Sequence, residues 1–282
     1  MRRSLLAALA AAALLTAPAP AAQAAPAAPQ SAQALLSSVH TPGIAWTVDP
    51  TTGITTVTLD DTVTAAQAAS LRAGTQHAGV VIRREHGTLR TLLAGGDPVY
   101  GTSARCSLGA NARKGTTYYM ITAGHCTTTS ATWWTNSART IAIGTRTATS
   151  FPLNDYGAVR YTNTALTHPS AVNTYPGLLT INGVGTPYVG QTVCRSGATT
   201  GVRCGTITAL NATVNYAEGT VSGLIRTNIC AEPGDSGGPL YVPSTGLILG
   251  ILSGGSGNCT SGGVTYYQPL AEILAALGLS IP

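Results

Sequence analysis

The stretch Ala231-Glu232-Pro233-Gly234-Asp235-Ser236-Gly237-Gly238-Pro239-Leu240 sets a serine hydroxyl among three glycines and two prolines. That composition supports neither a helix nor a central strand, so it predicts a tight loop between the apolar runs 221–229 and 247–252. Glycines beside Ser236 admit positive φ and leave room for a substrate carbonyl, so the N–H groups of Gly234 and Ser236 can converge on one oxyanion. A serine hydroxyl is a weak nucleophile at neutral pH; it needs a base to take its proton and an acid to orient that base. Upstream stand Thr122-Ala123-Gly124-His125-Cys126 and Asn154-Asp155-Tyr156-Gly157. His125 is the candidate base and Asp155 the candidate orienting acid. Taken singly, a serine between glycines or an aspartate before Tyr-Gly is most often just a turn residue. The only other histidine after residue 92, His168, sits in Thr167-His168-Pro169-Ser170, a polar turn with no motif around it.

The order of these residues along the chain decides between two nucleophile settings. Gly234 to Gly238 also satisfies the G-x-S-x-G pattern of α/β-hydrolases, which requires a helix after the serine, then an acid and a histidine downstream. No histidine lies beyond Ser236, and the sequence after Pro239 is β-type. The order His125, Asp155, Ser236 is that of the chymotrypsin fold. T-A-G-H-C, N-D-Y-G and G-D-S-G-G-P together resemble its serine proteases. Cys230-Ala231-Glu232-Pro233 and Ser253-Gly254-Gly255-Ser256-Gly257-Asn258-Cys259 resemble, more narrowly, the streptogrisin group of secreted bacterial proteases.

Elements must hold these residues in place. From about residue 93 to Gln268 the chain is rich in Thr, Val, Gly and Tyr. Short runs such as Tyr118–Ile121, Thr140–Ile143 and Thr206–Leu210 predict many short strands, as a sandwich or a barrel. One helix is expected, from Pro269 to Leu277: proline suits the first helical position, Leu270, Ile273, Leu274 and Leu277 form one apolar face, and Gly278 ends it. The resemblance resolves the architecture to an all-β fold of two six-stranded antiparallel β-barrels, divided near Gly190, with the site in the cleft between them and the helix docked on the second barrel. It also implies oxyanion donors at Gly234 and Ser236, and a substrate strand laid along Ser253, Gly254 and Gly255, with Ser253 bonded to the triad acid. Arg195 would be a buried ion-pair partner for Asp235.

Ahead of this domain, residues 1–24 carry an Arg2-Arg3 start, an apolar run from Leu5 to Leu15 and Ala22-Gln23-Ala24. These are the parts of a secretory signal peptide. Pro18 and Pro20 interrupt the run before it reaches membrane-spanning length. A small α+β segment comes next: a hairpin over Ile44–Leu59, a helix over Ala65–Ala73 and a strand over Val80–Arg84. It resembles the streptogrisin prosegment, which implies a prosegment over 25–92 and a mature domain over 93–282. In the family such a segment assists folding and then blocks the site. Exported, the mature chain would be an extracellular monomer.

Charge argues against other classes. The net charge is +5, and after residue 92 nine scattered bases face six acids, so no basic patch recommends nucleic acid or a membrane surface as partner. The six cysteines, Cys106, Cys126, Cys194, Cys204, Cys230 and Cys259, all lie beyond residue 92. An even number in an exported chain favours disulfides, and no C-x-x-C spacing supports a metal. Residue reading leaves their pairing open; the resemblance implies Cys106–Cys126, Cys194–Cys204 and Cys230–Cys259. No cofactor is implied. The expected activity is that of a serine endopeptidase acting on protein or peptide substrates. Asn228 stands where trypsin-like relatives carry an acid and Leu252 where glutamate-specific relatives carry a histidine, so the expected P1 side chain is large and apolar. An inactive homologue acting as a binding module, or an esterase, are the alternatives.

Overall fold

β-branched and aromatic residues fit a pleated, half-buried surface, and strands accordingly dominate the computed structural model, which describes residues 31–76, 78–89 and 92–282. The expected signal peptide, and the Ala/Pro-rich stretch as far as residue 30, lie outside the described residues. Two units divide between Leu89 and Arg90. In the first, Ile44–Val48 pairs antiparallel with Thr55–Leu59, which pairs in parallel with Val80–Arg84 through the crossover helix Ala65–Thr75. Alternate residues Val57 and Leu59 point into a small core with Leu36, Val63 and Leu71. Thr64 and Gln67 close the helix start with a reciprocal capping box. The α+β expectation for this segment holds.

The second unit contains two barrels. The first sheet runs in the order Arg105–Ser107, Pro98–Tyr100, Thr132–Trp134, Ala142–Ser150, Tyr156–Tyr161, Thr117–Thr122, Ala110–Lys114. Its two end strands belong to one stretch, 105–114, interrupted at Leu108-Gly109, so the chain itself joins the ends of the sheet into a six-membered barrel. Trp133, Met120, Val99, Leu108 and Ile143 fill it. In the second sheet, Leu247–Asn258 pairs with Pro239–Val242 on one side and with Gly262–Pro269 on the other. Thr192–Gly197, Gly201–Tyr216 and Gly219–Thr227 complete the ring, around Val193, Ile207, Ile225, Leu240, Leu249 and Tyr267.

A third cluster holds the barrels together: Ala110, Ile121 and Ala158 from the first meet Tyr241, Ile248 and Ile251 from the second. The C-terminal helix packs Leu270, Ile273 and Leu274 into this seam, so it clamps both barrels instead of covering the second alone. All three disulfides form with the pairing the resemblance implied.

Three sequence expectations need correction. Pro269 is not the first helical residue: it still pairs with Gly250 in the barrel and its ψ of 128° is extended, so the helix starts at Leu270. The Thr140–Ile143 run becomes strand only at Ala142, because Asn136 Oδ1 accepts the Thr140 N–H and holds that residue in a turn. The short Thr206–Leu210 run is the middle of the sixteen-residue strand Gly201–Tyr216, which bends through repeated bulges.

Candidate active site

His125 follows the strand Thr117–Thr122 on a single helical turn, Gly124–Thr127. Asp155 opens the neighbouring strand Tyr156–Tyr161 and is fully buried. One carboxylate grips the histidine twice: Oδ1 accepts the His125 backbone N–H at 2.8 Å, and Oδ2 lies 2.8 Å from Nδ1. An anionic acceptor at Nδ1 keeps the ring proton there and leaves the Nε2 lone pair for a substrate or nucleophile proton. The histidine side chain is 30 % exposed while its aspartate is sealed, so the base faces solvent and its anchor does not.

Ser253 Oγ donates to Asp155 Oδ2 at 2.6 Å, and Tyr216 Oη lies 3.1 Å from Ser253 Oγ. Burial raises the Tyr216 phenol, and the Ser253 bond partly offsets it. Sequence reasoning missed Gln268. Its Oε1 accepts the Asp155 N–H at 2.8 Å, and its Nε2 donates to Glu272 Oε2 at 2.9 Å. The only signal was a polar residue just before the helix, in an otherwise apolar strand end.

The serine loop is braced by Ser107 of the first barrel and by Leu252 of the second. Ser107 N–H donates to Ser236 O at 2.8 Å, Ser107 Oγ donates to Gly234 O at 2.9 Å, and Gly237 N–H donates to Leu252 O at 2.8 Å. Gly234 and Gly237 have φ of +97° and +82°, a region that disfavours other residues. A Cβ on Gly237 would lie 2.2 Å from Thr122 Oγ1 and 2.7 Å from Ser107 O. The N–H groups of Asp235, Gly237 and Gly238 are consumed inside the loop or by Leu252, whereas those of Gly234 and Ser236 have no acceptor among the described residues. Ser236 Oγ makes no hydrogen bond to His125 Nε2 there; such bonds tighten when substrate binds.

Arg195 and Asp235 are both fully buried, with Nη2 3.2 Å from Oδ2. The contact is through one oxygen only, because Oδ1 accepts the N–H groups of Thr199 and Thr200. Arg195 Nε donates to Cys230 O at 2.7 Å, and Thr200 Oγ1 bridges guanidinium and carboxylate. Burial lowers the guanidinium pKa and Asp235 partly restores it. Arg105, unremarked in the sequence, donates to Thr199 Oγ1 at 2.7 Å and to Ala198 O at 2.8 Å, fixing the segment that cradles Asp235.

Two cavities flank the strand that begins at Leu247. One, about 260 Å³, is walled by Ala231, Pro233, Ser236, Gly254, Gly255 and Val264. The other, about 180 Å³, opens at His125, Phe151, Tyr216 and Ser253. Glu232 also lines the first, but its Oε1 accepts the Cys259 N–H at 2.9 Å. Asn228 is turned elsewhere, accepting the Thr206 N–H. The sulfurs of Cys106 and Cys126 lie near the His125 ring, but both are consumed by their disulfide and make no metal site. Among the described residues no helix is long and apolar enough to cross a membrane.

Comparison with known proteins gives a consistent result. The family model "Trypsin" matches residues 94–277. Streptogrisin-D of Streptomyces griseus is 48 % identical over 257 residues, covering 89 % of this chain and 64 % of that protein. Streptogrisin-A of the same organism is 45 % identical over 255 residues, with coverages of 89 % and 82 %. The chain thus spans just under two thirds of the first relative's length and more of the second's. Among solved structures, a Cellulomonas bogoriensis chymotrypsin superposes with a TM-score of 0.61 at 45 % identity, over 68 % of this chain and 99 % of its own.

Proposed function

The chain belongs to the trypsin family of chymotrypsin-fold serine proteases, with streptogrisins among its relatives, and from that premise we propose that it is a secreted endopeptidase using Ser236, His125 and Asp155. The observation that carries the reading is the double grip of Asp155 on His125 beside a serine loop whose Gly234 and Ser236 N–H groups are unspent. His125 Nε2 takes the Ser236 proton as Oγ attacks the scissile carbonyl, and returns it to the leaving amine. Asp155 holds the Nδ1–H tautomer and stabilises the imidazolium without taking the proton. The tetrahedral oxyanion sits against the Gly234 and Ser236 N–H groups, each worth about 2.7–4 kcal/mol of transition-state stabilisation. Water then repeats the sequence on the acyl-enzyme.

The substrate backbone pairs with Ser253–Gly255, and the P1 side chain enters the 260 Å³ cavity. Glycine backbone, Ala231 and Val264 line that cavity and its one acid is spent on Cys259, which supports large apolar P1 residues over basic ones. Residues 25–92 act as the prosegment, removed at or within a residue of the Leu92–Leu93 bond. Treating the secreted protein with a fluorophosphonate tests the reading: we expect rapid labelling at Ser236, abolished by His125→Ala, together with cleavage of leucyl and phenylalanyl peptide anilides. Stoichiometric peptide binding without labelling would instead mark a binding module, and long-chain ester hydrolysis without peptide cleavage an esterase.

A further inference from the structure

We propose that Glu218 makes the 180 Å³ cavity beside His125 a subsite for a cationic side chain, so that this protease favours Lys or Arg at P2; the inference rests on the endopeptidase reading above. An extended substrate laid along Ser253–Gly255 points successive side chains to opposite faces. With P1 in the cavity walled by Pro233 and Gly255, the preceding residue is directed to the cavity lined by His125, Phe151, Asp155, Tyr216, Glu218 and Ser253. This second cavity contains two carboxylates and no permanent cation. Asp155 is sealed beneath and already accepts from His125 and Ser253. Glu218 stands exposed and takes part in no ion pair among the described residues.

The turn that carries Glu218 is itself anchored. Glu218 is the second residue of the two-residue turn between Gly201–Tyr216 and Gly219–Thr227, where Tyr216 faces Gly219. The turn is tied to the loop that carries Phe151: Leu153 N–H donates to Thr220 O at 2.9 Å, and a Cβ on Gly219 would lie 2.7 Å from Pro152. Phe151 and Tyr216 give the cavity aromatic walls along which the methylenes of lysine or arginine pack while the charged head stays near water. An acidic P2 residue would meet Glu218 with like charge and no permanent cation to offset it.

The test uses protein secreted from the full chain and peptide anilides with leucine at P1 and Lys, Ala or Glu at P2. The ratio of kcat/KM for P2 lysine over P2 glutamate should be roughly five- to tenfold at low ionic strength, collapsing towards one at about 1 M salt where the screening length is about 3 Å. Glu218→Gln should bring the ratio close to one, and Glu218→Lys should invert it. Hydrolysis of the P2-alanine substrate reports the endopeptidase reading separately; its absence overturns that reading and the subsite with it. Hydrolysis with a wild-type ratio near one, or a ratio unmoved by Glu218→Gln, overturns the subsite alone.

Discussion

Asp235 immediately precedes Ser236, and its charge is met by a side chain. Arg195 lies against it, fully buried, and a guanidinium stays protonated throughout the working pH range. Arg195→Met strands the carboxylate without its cation and should cost roughly 3–5 kcal/mol in urea unfolding. Acetylating the mature N-terminus should leave activity nearly unchanged; if acetylation abolishes activity while Arg195→Met is tolerated, the partner is the terminus. Gln268 yields a separable prediction, because its Oε1 satisfies the buried Asp155 N–H. Gln268→Leu leaves that donor orphaned at about 1–3 kcal/mol and lets Asp155 tilt, so kcat should fall with KM nearly constant. Gln268→Glu keeps an acceptor for the Asp155 N–H but replaces the donor facing Glu272 with a second carboxyl. It should therefore outperform leucine at acidic pH, where that pair shares a proton, and lose the advantage as pH rises. An unchanged kcat for the leucine variant would assign Gln268 to stability alone.

At the scale of elements, the serine loop depends on one glycine more than its neighbours do. Gly237 has a φ of +82° and its Cβ position is filled by Thr122 and Ser107. Gly237→Ala must push the loop off the first barrel, and kcat/KM should drop by at least about 100-fold, an oxyanion donor's worth, with a folded circular dichroism spectrum retained. Much of this arrangement is legible in the sequence. The Gly/Pro density around Ser236 demands a loop, and the helical spacing of Leu270, Ile273, Leu274 and Leu277 demands the helix that is found. Strand lengths are not legible. Gly201–Tyr216 passes through Asn211 at a φ of +54° and several register shifts, and a bulged strand has no clean alternation to read. Gln268 and Arg105 are invisible for another reason: each acts on residues roughly a hundred positions away, and neither type carries a signature of its own.

Across the whole molecule, long sequence separations dominate. Ser107 bonds Gly234 across 127 residues and Asp155 bonds Gln268 across 113. Closing such contacts before they stabilise anything makes folding slow. Residues 93–282 expressed alone should therefore give little activity, recovered when residues 25–92 are supplied in trans; efficient unaided refolding would refute the need for a prosegment. A second global prediction concerns alkaline pH. Tyr267 is fully buried in the second barrel, and burial moves its phenol from 10.0 up to about 12. Between those values the unfolded chain loses a proton that the folded chain keeps, so stability is intact below pH 10 and falls as pH rises towards 12. The loss is roughly 3 kcal/mol for this group. Tyr267→Phe should flatten that slope in denaturation midpoints measured from about pH 9 to about pH 12.

The strand Leu247–Asn258 outlasts its partner Pro239–Val242: pairing on that side ends at Leu252, while the other side stays paired as far as Asn258. The first three residues beyond that point, Ser253–Gly255, span about 10 Å, and their free edge can be met only by a chain that is itself extended there. Helices and the interior strands of intact sheets offer no such length. On the endopeptidase reading proposed above, the rate at which a folded protein is cut would be governed by how often that protein opens locally. Among folded substrates, marginal stability would then count for as much as the identity of the residue cut.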